Sequence, residues 1–120
     1  MGNILGNTYH ISRTPPTVNS LYAFSGRRGR KDRYRTPRYE AWLDLARSEV
    51  GRVKSIRDDA YELHIHISKK ARGDLDGYAK AVIDFLVKAK ATPDDSKLVR
   101  LLMTKQAESG VIIEVIQGST

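Results

Sequence analysis

The sequence predicts an α+β domain: a small mixed β-sheet with two packed helices, in the order β-α-β-α-β-β. Three observations carry that expectation. Two stretches repeat apolar residues at 3.6-residue spacing, one stretch alternates strictly by two, and two β-rich apolar runs close the chain. With 120 residues the chain is one domain's worth. Residues 1–120 therefore read as a single domain, with a flexible basic loop at about 18–35.

Asn7 to Ser12 is β-rich and loosely alternating, and the Thr14-Pro15-Pro16-Thr17 segment ends it, because proline lacks the amide hydrogen of a sheet ladder. Val18 to Arg35 has no sustained period and is read as loop. Thr36-Pro37 is a helix start, a hydroxyl at the N-cap followed by proline where a missing N–H costs nothing. Tyr39, Trp42, Leu43, Ala46 and Val50 then share one helical face, and Gly51 suits the position after the helix. Tyr61, Leu63, Ile65 and Ile67 alternate with Glu62, His64, His66 and Ser68, a half-buried strand.

Leu75, Tyr78, Ala79, Val82, Ile83, Leu86 and Val87 form the cleanest helical stripe, and Thr92-Pro93-Asp94-Asp95 is a turn. Leu98 to Met103 is apolar on both faces apart from Arg100, the pattern of a central strand. Ala107 to Gly110 is a short polar loop into Val111–Ile116, which predicts an antiparallel hairpin of the last two strands. The passage from Tyr61 to Met103 has the length of a parallel crossover.

Composition narrows the class. Apolar residues make up 40% of the chain and charged ones 29%, and no apolar run exceeds four residues (Leu21 to Phe24), so a helical span of ~20 residues has no candidate. Met1 to Arg13 lacks the apolar stretch of an export signal. With no cysteine, disulfides, thiolate catalysis and cysteine-ligated metal centres are excluded. The formal charge is +7, and Arg27, Arg28, Arg30, Lys31, Arg33, Arg35 and Arg38 against Asp32 account for +6 of it. A nearly neutral body with a basic arm points to an acidic polymer as partner.

Asp74-Leu75-Asp76 opens the second helix. One reading is local: Asp74 as N-cap and Asp76 in the first turn, where the helix dipole favours negative charge. The other is chemical. Lys69, Lys70 and Arg72 precede the pair, Lys80 follows one turn later, and Asp94-Asp95 comes after the helix. Like-charged carboxylates repel by ~4 kcal/mol at 4 Å under an effective dielectric near 20. Oxygen ligands gathered against that repulsion select a hard cation such as Mg²⁺. Carboxylate-held Mg²⁺ beside a lysine in a basic protein suits phosphodiester hydrolysis. Spacing alone does not bring Asp95 to Asp74 and Asp76. His64 and His66 lack a third metal ligand at suitable spacing and read as strand residues, with His66 the one that could lie near a metal site, and Lys80 to Asp84 is an i,i+4 ion pair compatible with Asp84 orienting the lysine.

The segment from Arg72 to Leu86 followed by Asp94-Asp95 resembles the core signature of RusA-type Holliday junction resolvases, roughly D-L-D-N-x-x-K-x-x-x-D-x-L with an Asp-Asp pair after the helix. The early strand with Pro15-Pro16 and Asn19, the length and the two closing strands extend the resemblance over essentially the whole chain. It implies a RusA-like fold and a homodimeric, Mg²⁺-dependent endonuclease, common in phages and prophages. Such an enzyme nicks four-way or branched DNA symmetrically in recombination and repair, leaving 5′-phosphate ends.

By matching position, Asp74, Asp76 and Asp95 are the implied metal-binding catalytic carboxylates and Lys80 the catalytic lysine, with Asp94 a turn residue. The expected DNA contacts are Arg27, Arg28, Arg30, Lys31, Arg33, Arg35, Lys69, Lys70 and Arg72. The expected location is the cytoplasm of a bacterial or phage-infected cell, with no membrane partner. Gly77 stands where the family usually has Asn, and Phe85 and Val87 to Lys90 replace a small, glycine-containing helix end. The rival expectations are a catalytically inactive branched-DNA-binding protein of phage origin, and an assembly protein whose basic arm holds nucleic acid or an acidic partner.

Overall fold

The computed structural model describes residues 6–24, 33–56 and 60–117. Its strands are β1 (Gly6–Ile11), β2 (Tyr22–Phe24), β3 (Arg33–Arg35), β4 (Tyr61–Ser68), β5 (Leu98–Ala107) and β6 (Val111–Gln117). The helices are α1 (Pro37–Val50) and α2 (Ala79–Lys88), and 3-10 turns occupy Val18–Ser20, Leu75–Tyr78 and Asp95–Lys97. The main sheet has the order β1-β6-β4-β5, with β4 parallel to β5 and the other pairings antiparallel. The mixed α+β class is as expected, and the Tyr61–Met103 passage is a parallel crossover.

Helix α1 begins as its sequence predicts. Thr36 Oγ1 accepts the Tyr39 amide at 3.2 Å and donates to Ser20 O at 2.6 Å, so one hydroxyl caps the helix and ties it to the preceding segment. Tyr39, Trp42, Leu43 and Ala46 are buried on its inner face, and Ala79, Ala81, Val82, Phe85 and Leu86 on that of α2. Trp42 and Phe85 meet edge to face with centroids 5.9 Å apart, joining the two helices. Both pack over Tyr61, Leu63, Ile65, Ile67, Val111, Ile113 and Val115, the inward positions of β4 and β6.

Three expectations change. The stretch read as loop from Val18 to Arg35 holds a 3-10 turn and an antiparallel β2–β3 ribbon, with Tyr22 opposite Arg35, while 25–32 lies outside the described residues. The last two strands are not a hairpin. The 108–110 loop steps over the end of β4, which lies between β5 and β6. Two β4-end amides stabilise that step: Ser68 N–H donates to Gly110 O at 2.9 Å and Lys69 N–H to Ala107 O at 2.8 Å. Gly110 has φ +63°, and a Cβ there would stand 2.0 Å from Ile11 O, so only glycine fits.

The third correction concerns β5, which is an edge strand rather than a central one. Val99 is 66% exposed and Leu101 and Leu102 are each 42% exposed. Its two-sided apolar pattern is real, but within one chain only β4 flanks it.

Candidate active site

The Asp74–Asp76 segment is held from both sides. Lys105 Nζ donates to Gly73 O at 2.6 Å, and the Tyr78 hydroxyl donates to Arg72 O. Gly73 takes φ +92°, a conformation that glycine adopts freely. Asp74 has extended backbone angles at the head of the 75–78 turn, but its carboxylate caps no amide. Both Asp74 and Asp76 are exposed, and neither carboxylate accepts a hydrogen bond among the described residues. Asp74 stands at the expected N-cap position without making the capping bond, while Asp76 lies in the first turn as the local reading has it.

Lys80 sits one turn after Asp76, its Nζ 3.3 Å from Asp84 Oδ1, the expected i,i+4 pair. Lys80 and Asp84 share an open groove of about 310 Å³ with Arg35, Tyr39, Asp94 and Asp95. Arg35 lies 5.8 Å over the Tyr39 ring and 3.4 Å from Glu40. The Tyr39 phenol is pushed well above its ordinary range, first by burial and then by the Asp84 charge, so it stays a neutral donor toward Asp84.

Asp94 behaves as a turn residue. Its Oδ2 accepts from Ser96 Oγ at 2.6 Å and the Ser96 amide at 3.4 Å, and these bonds hold its carboxyl below the usual range. Asp95 opens the 95–97 turn at the start of β5, at the far end of α2 from Asp74 and Asp76. Among the described residues no three acidic or histidine side chains converge as a cation site. One chain therefore brings Lys80 and Asp95 to one groove but does not assemble the three aspartates.

Of the expected DNA contacts, Arg27, Arg28, Arg30 and Lys31 lie outside the described residues, and Arg33 is described only as backbone of β3. Lys69 is paired with Glu108 at 2.9 Å, and Lys70 and Arg72 are exposed. A second groove, of about 530 Å³, is lined by Arg13, Arg38 and Arg72 with Pro15, Pro16 and Trp42, and has no acid on its wall. Arg13 and Arg38 come from segments far apart in sequence. Arg38 belongs to the basic stretch, whereas no local signal marks Arg13. His64 and His66 lie on the sheet face away from the helices. His64 Nε2 is 2.6 Å from Glu62, and His66 bridges Thr104 and Glu114 at 2.8 Å each.

No helix among the described residues is long and apolar enough to cross a membrane. Comparison with curated proteins gives no match. A family model described as Endodeoxyribonuclease RusA matches residues 15–116, a span that takes in Arg38 and Arg72 of the arginine-lined groove, Asp74, Asp76, Lys80, Asp95, β4, β5 and β6 up to Ile116. With most of its length matched and the candidate aspartates and Lys80 inside the match, the chain belongs to the RusA endodeoxyribonuclease family.

Proposed function

We propose that the protein is a Mg²⁺-dependent, homodimeric endonuclease that resolves four-way DNA junctions by paired nicks. The observation that carries this reading is the pair of exposed, uncapped carboxylates of Asp74 and Asp76, one turn before Lys80, inside the family match. Carboxylates that make no hydrogen bond to the chain keep their oxygens open to a ligand.

Asp74, Asp76 and Asp95 offer only oxygen donors, a set that fits a hard divalent cation. Mg²⁺ bound there would lower the pKa of a water and polarise the scissile phosphate. Lys80, oriented by Asp84, neutralises charge that develops on the phosphate oxygens. Arg13, Arg38 and Arg72 bind backbone phosphates, which positions the DNA without reading its sequence. Hydrolysis of the 3′ P–O bond leaves a 5′-phosphate and a 3′-hydroxyl. Two copies related by a twofold axis supply one centre for each of two opposed strands.

The test is cleavage of an end-labelled synthetic four-way junction in Mg²⁺, with a linear duplex and Asp76→Asn as controls. Paired nicks on opposite arms, absent from both controls, are expected. Tight junction binding by the wild type with no nicks would instead make it a branched-DNA-binding protein. Equal binding of junction and duplex without cleavage would leave only the basic-arm assembly reading.

A further inference from the structure

The groove beside the start of α1 has more shape than phosphate binding requires. Arg13, Arg38 and Arg72 are exposed along it, and among the described residues none of these three guanidiniums forms an ion pair. Two of them are fixed through their backbone by aromatic residues of the groove itself. Trp42 Nε1 donates to Arg13 O at 3.0 Å, and the Tyr78 hydroxyl donates to Arg72 O. With their polar atoms so engaged, the two aromatics offer the groove carbon surface, beside Pro15 and Pro16. Its volume of about 530 Å³ lies within the ~300–1,000 Å³ range of small-molecule sites. The phosphates of a duplex lie on its outside, and a charged surface without an apolar recess is enough to hold them.

Thr17 sets this recess against the acidic segment. A Cβ on Gly73 would stand 3.6 Å from the Tyr78 hydroxyl and 3.9 Å from Thr17 Cγ2, and one on Gly77 would stand 3.9 Å from Thr17 Cβ. Thr17 and Tyr78 both line the groove, and Gly73 and Gly77 bracket Asp74-Leu75-Asp76. A DNA strand with a phosphate at those carboxylates therefore has a neighbouring nucleotide at the mouth of the groove.

The lining selects the ligand. Three unpaired cations and no acid call for an anion, and the proline and aromatic surface beneath them calls for a flat, weakly polar group attached to it. A single nucleotide whose base has left the helix supplies both. A paired base cannot enter, because its neighbours in the stack cover both of its faces. At a branch point stacking is interrupted, so extruding a base costs less there than inside a duplex.

We propose that the groove holds one unpaired nucleotide of branched DNA, its phosphate on the arginines and its base against Pro15, Pro16 and Trp42, and that this favours branched DNA over duplex. That the same DNA is then cut rests on the endonuclease reading; the nucleotide site does not.

Trp42 is the only tryptophan of the chain, so its indole N–H resonance reports on the groove alone. The full-length protein is titrated in EDTA with deoxythymidine 5′-monophosphate, with inorganic phosphate and with deoxythymidine. The nucleotide is expected to shift the indole resonance saturably and to bind at least ~10-fold more tightly than phosphate or the nucleoside, the scale of one base–aromatic stack. Ala41 and Ala71 line the groove from separate elements, and Ala41→Phe and Ala71→Leu fill it while leaving the arginines in place. Circular dichroism checks each fold, and two positions keep the test readable if one substitution disturbs it. In both variants nucleotide affinity is expected to fall to that of phosphate. The preference for a four-way junction over a duplex of equal length is expected to drop with it, while the salt dependence of duplex binding stays unchanged.

Equal affinities for nucleotide and phosphate would show that the arginines act alone and overturn the proposal. So would nucleotide binding that leaves the indole resonance unmoved, a wild type that holds junction and duplex equally, or a junction preference that survives both filled grooves. Nucleotide binding in the groove of a protein that cuts no junction would uphold the site and reject the endonuclease reading. Junction cleavage with its selectivity intact in both filled variants would do the reverse.

Discussion

Asp74 and Asp76 are where a structural and a chemical role can be told apart by measurement. A capping carboxylate replaced by Ala lowers stability, by ~1 kcal/mol in the usual case. These two make no such bond, so Asp74→Ala and Asp76→Ala are expected to change unfolding free energy by less than ~0.5 kcal/mol. They are also expected to cut junction cleavage by at least ~100-fold, the usual scale for losing a group that stabilises transition-state charge. Urea denaturation and cleavage assays on the same preparations check both halves.

Glu49 tests pH dependence. It accepts from the Ser12 amide and hydroxyl at 2.7 Å each, and these bonds lower its pKa from the ordinary 4.5. A depressed carboxyl contributes stability above its unfolded value and loses it as pH falls through the folded one. Thermal melts from pH 6 downward are thus expected to fall less steeply below about 4.5 for Glu49→Gln than for the wild type.

At the scale of elements, the two turn glycines predict opposite outcomes. Gly110 closes the step over β4 with a positive φ and Ile11 O at 2.0 Å from any Cβ. Gly110→Ala is expected to destabilise the fold by several kcal/mol, or to abolish folding, because the obstacle is backbone that cannot move aside. Gly77 sits in the 75–78 turn at a negative φ, and an added Cβ would meet only Thr17 Cβ at 3.9 Å, an ordinary contact. Gly77→Ala is expected to stabilise by about 0.4–1 kcal/mol by restricting the unfolded chain. Thr36→Ala removes both the α1 cap and the bond to Ser20 O, and an expected loss of about 1–2 kcal/mol is readable by chemical denaturation.

Most of these elements were legible in the sequence because their determinants are local. Thr36-Pro37 starts α1 whatever else is present, and the alternation of β4 declares one face buried in any tertiary setting. The β5–β6 pairing was not legible. A three-residue connection ordinarily makes a hairpin, and only the insertion of β4, fastened through Ser68 and Lys69, prevents it. The β2–β3 ribbon was hidden for a similar reason: three-residue strands carry too few alternations to register as a period.

For the whole molecule, the arginine-lined groove sets the expected salt response. Arg13, Arg38 and Arg72 come from β1's exit, the start of α1 and the loop before α2, and converge on one wall without an acid. If each binds one phosphate, Arg38→Ala and Arg72→Ala are each expected to flatten the log–log salt dependence of junction binding by ~0.9. Their effect on duplex binding should be comparable, since phosphate contacts carry no base information. Fluorescence anisotropy at several salt concentrations measures both.

The sequence by itself determined the α+β class, the two helices, the caps of α1, the inward residues of β4 and β6, and the family, because helical spacing, alternation and the Asp-Leu-Asp segment are properties of neighbours along the chain. Tertiary structure alone decided that β5 is an edge, that Arg13 joins Arg38 and Arg72, and that Gly73 is bonded near the end of β5 while Asp95 precedes its start. A two-sided apolar pattern states that both faces of a strand need cover. It cannot state whether the cover comes from the same chain, because burial depends on distances in space and leaves no period in the sequence.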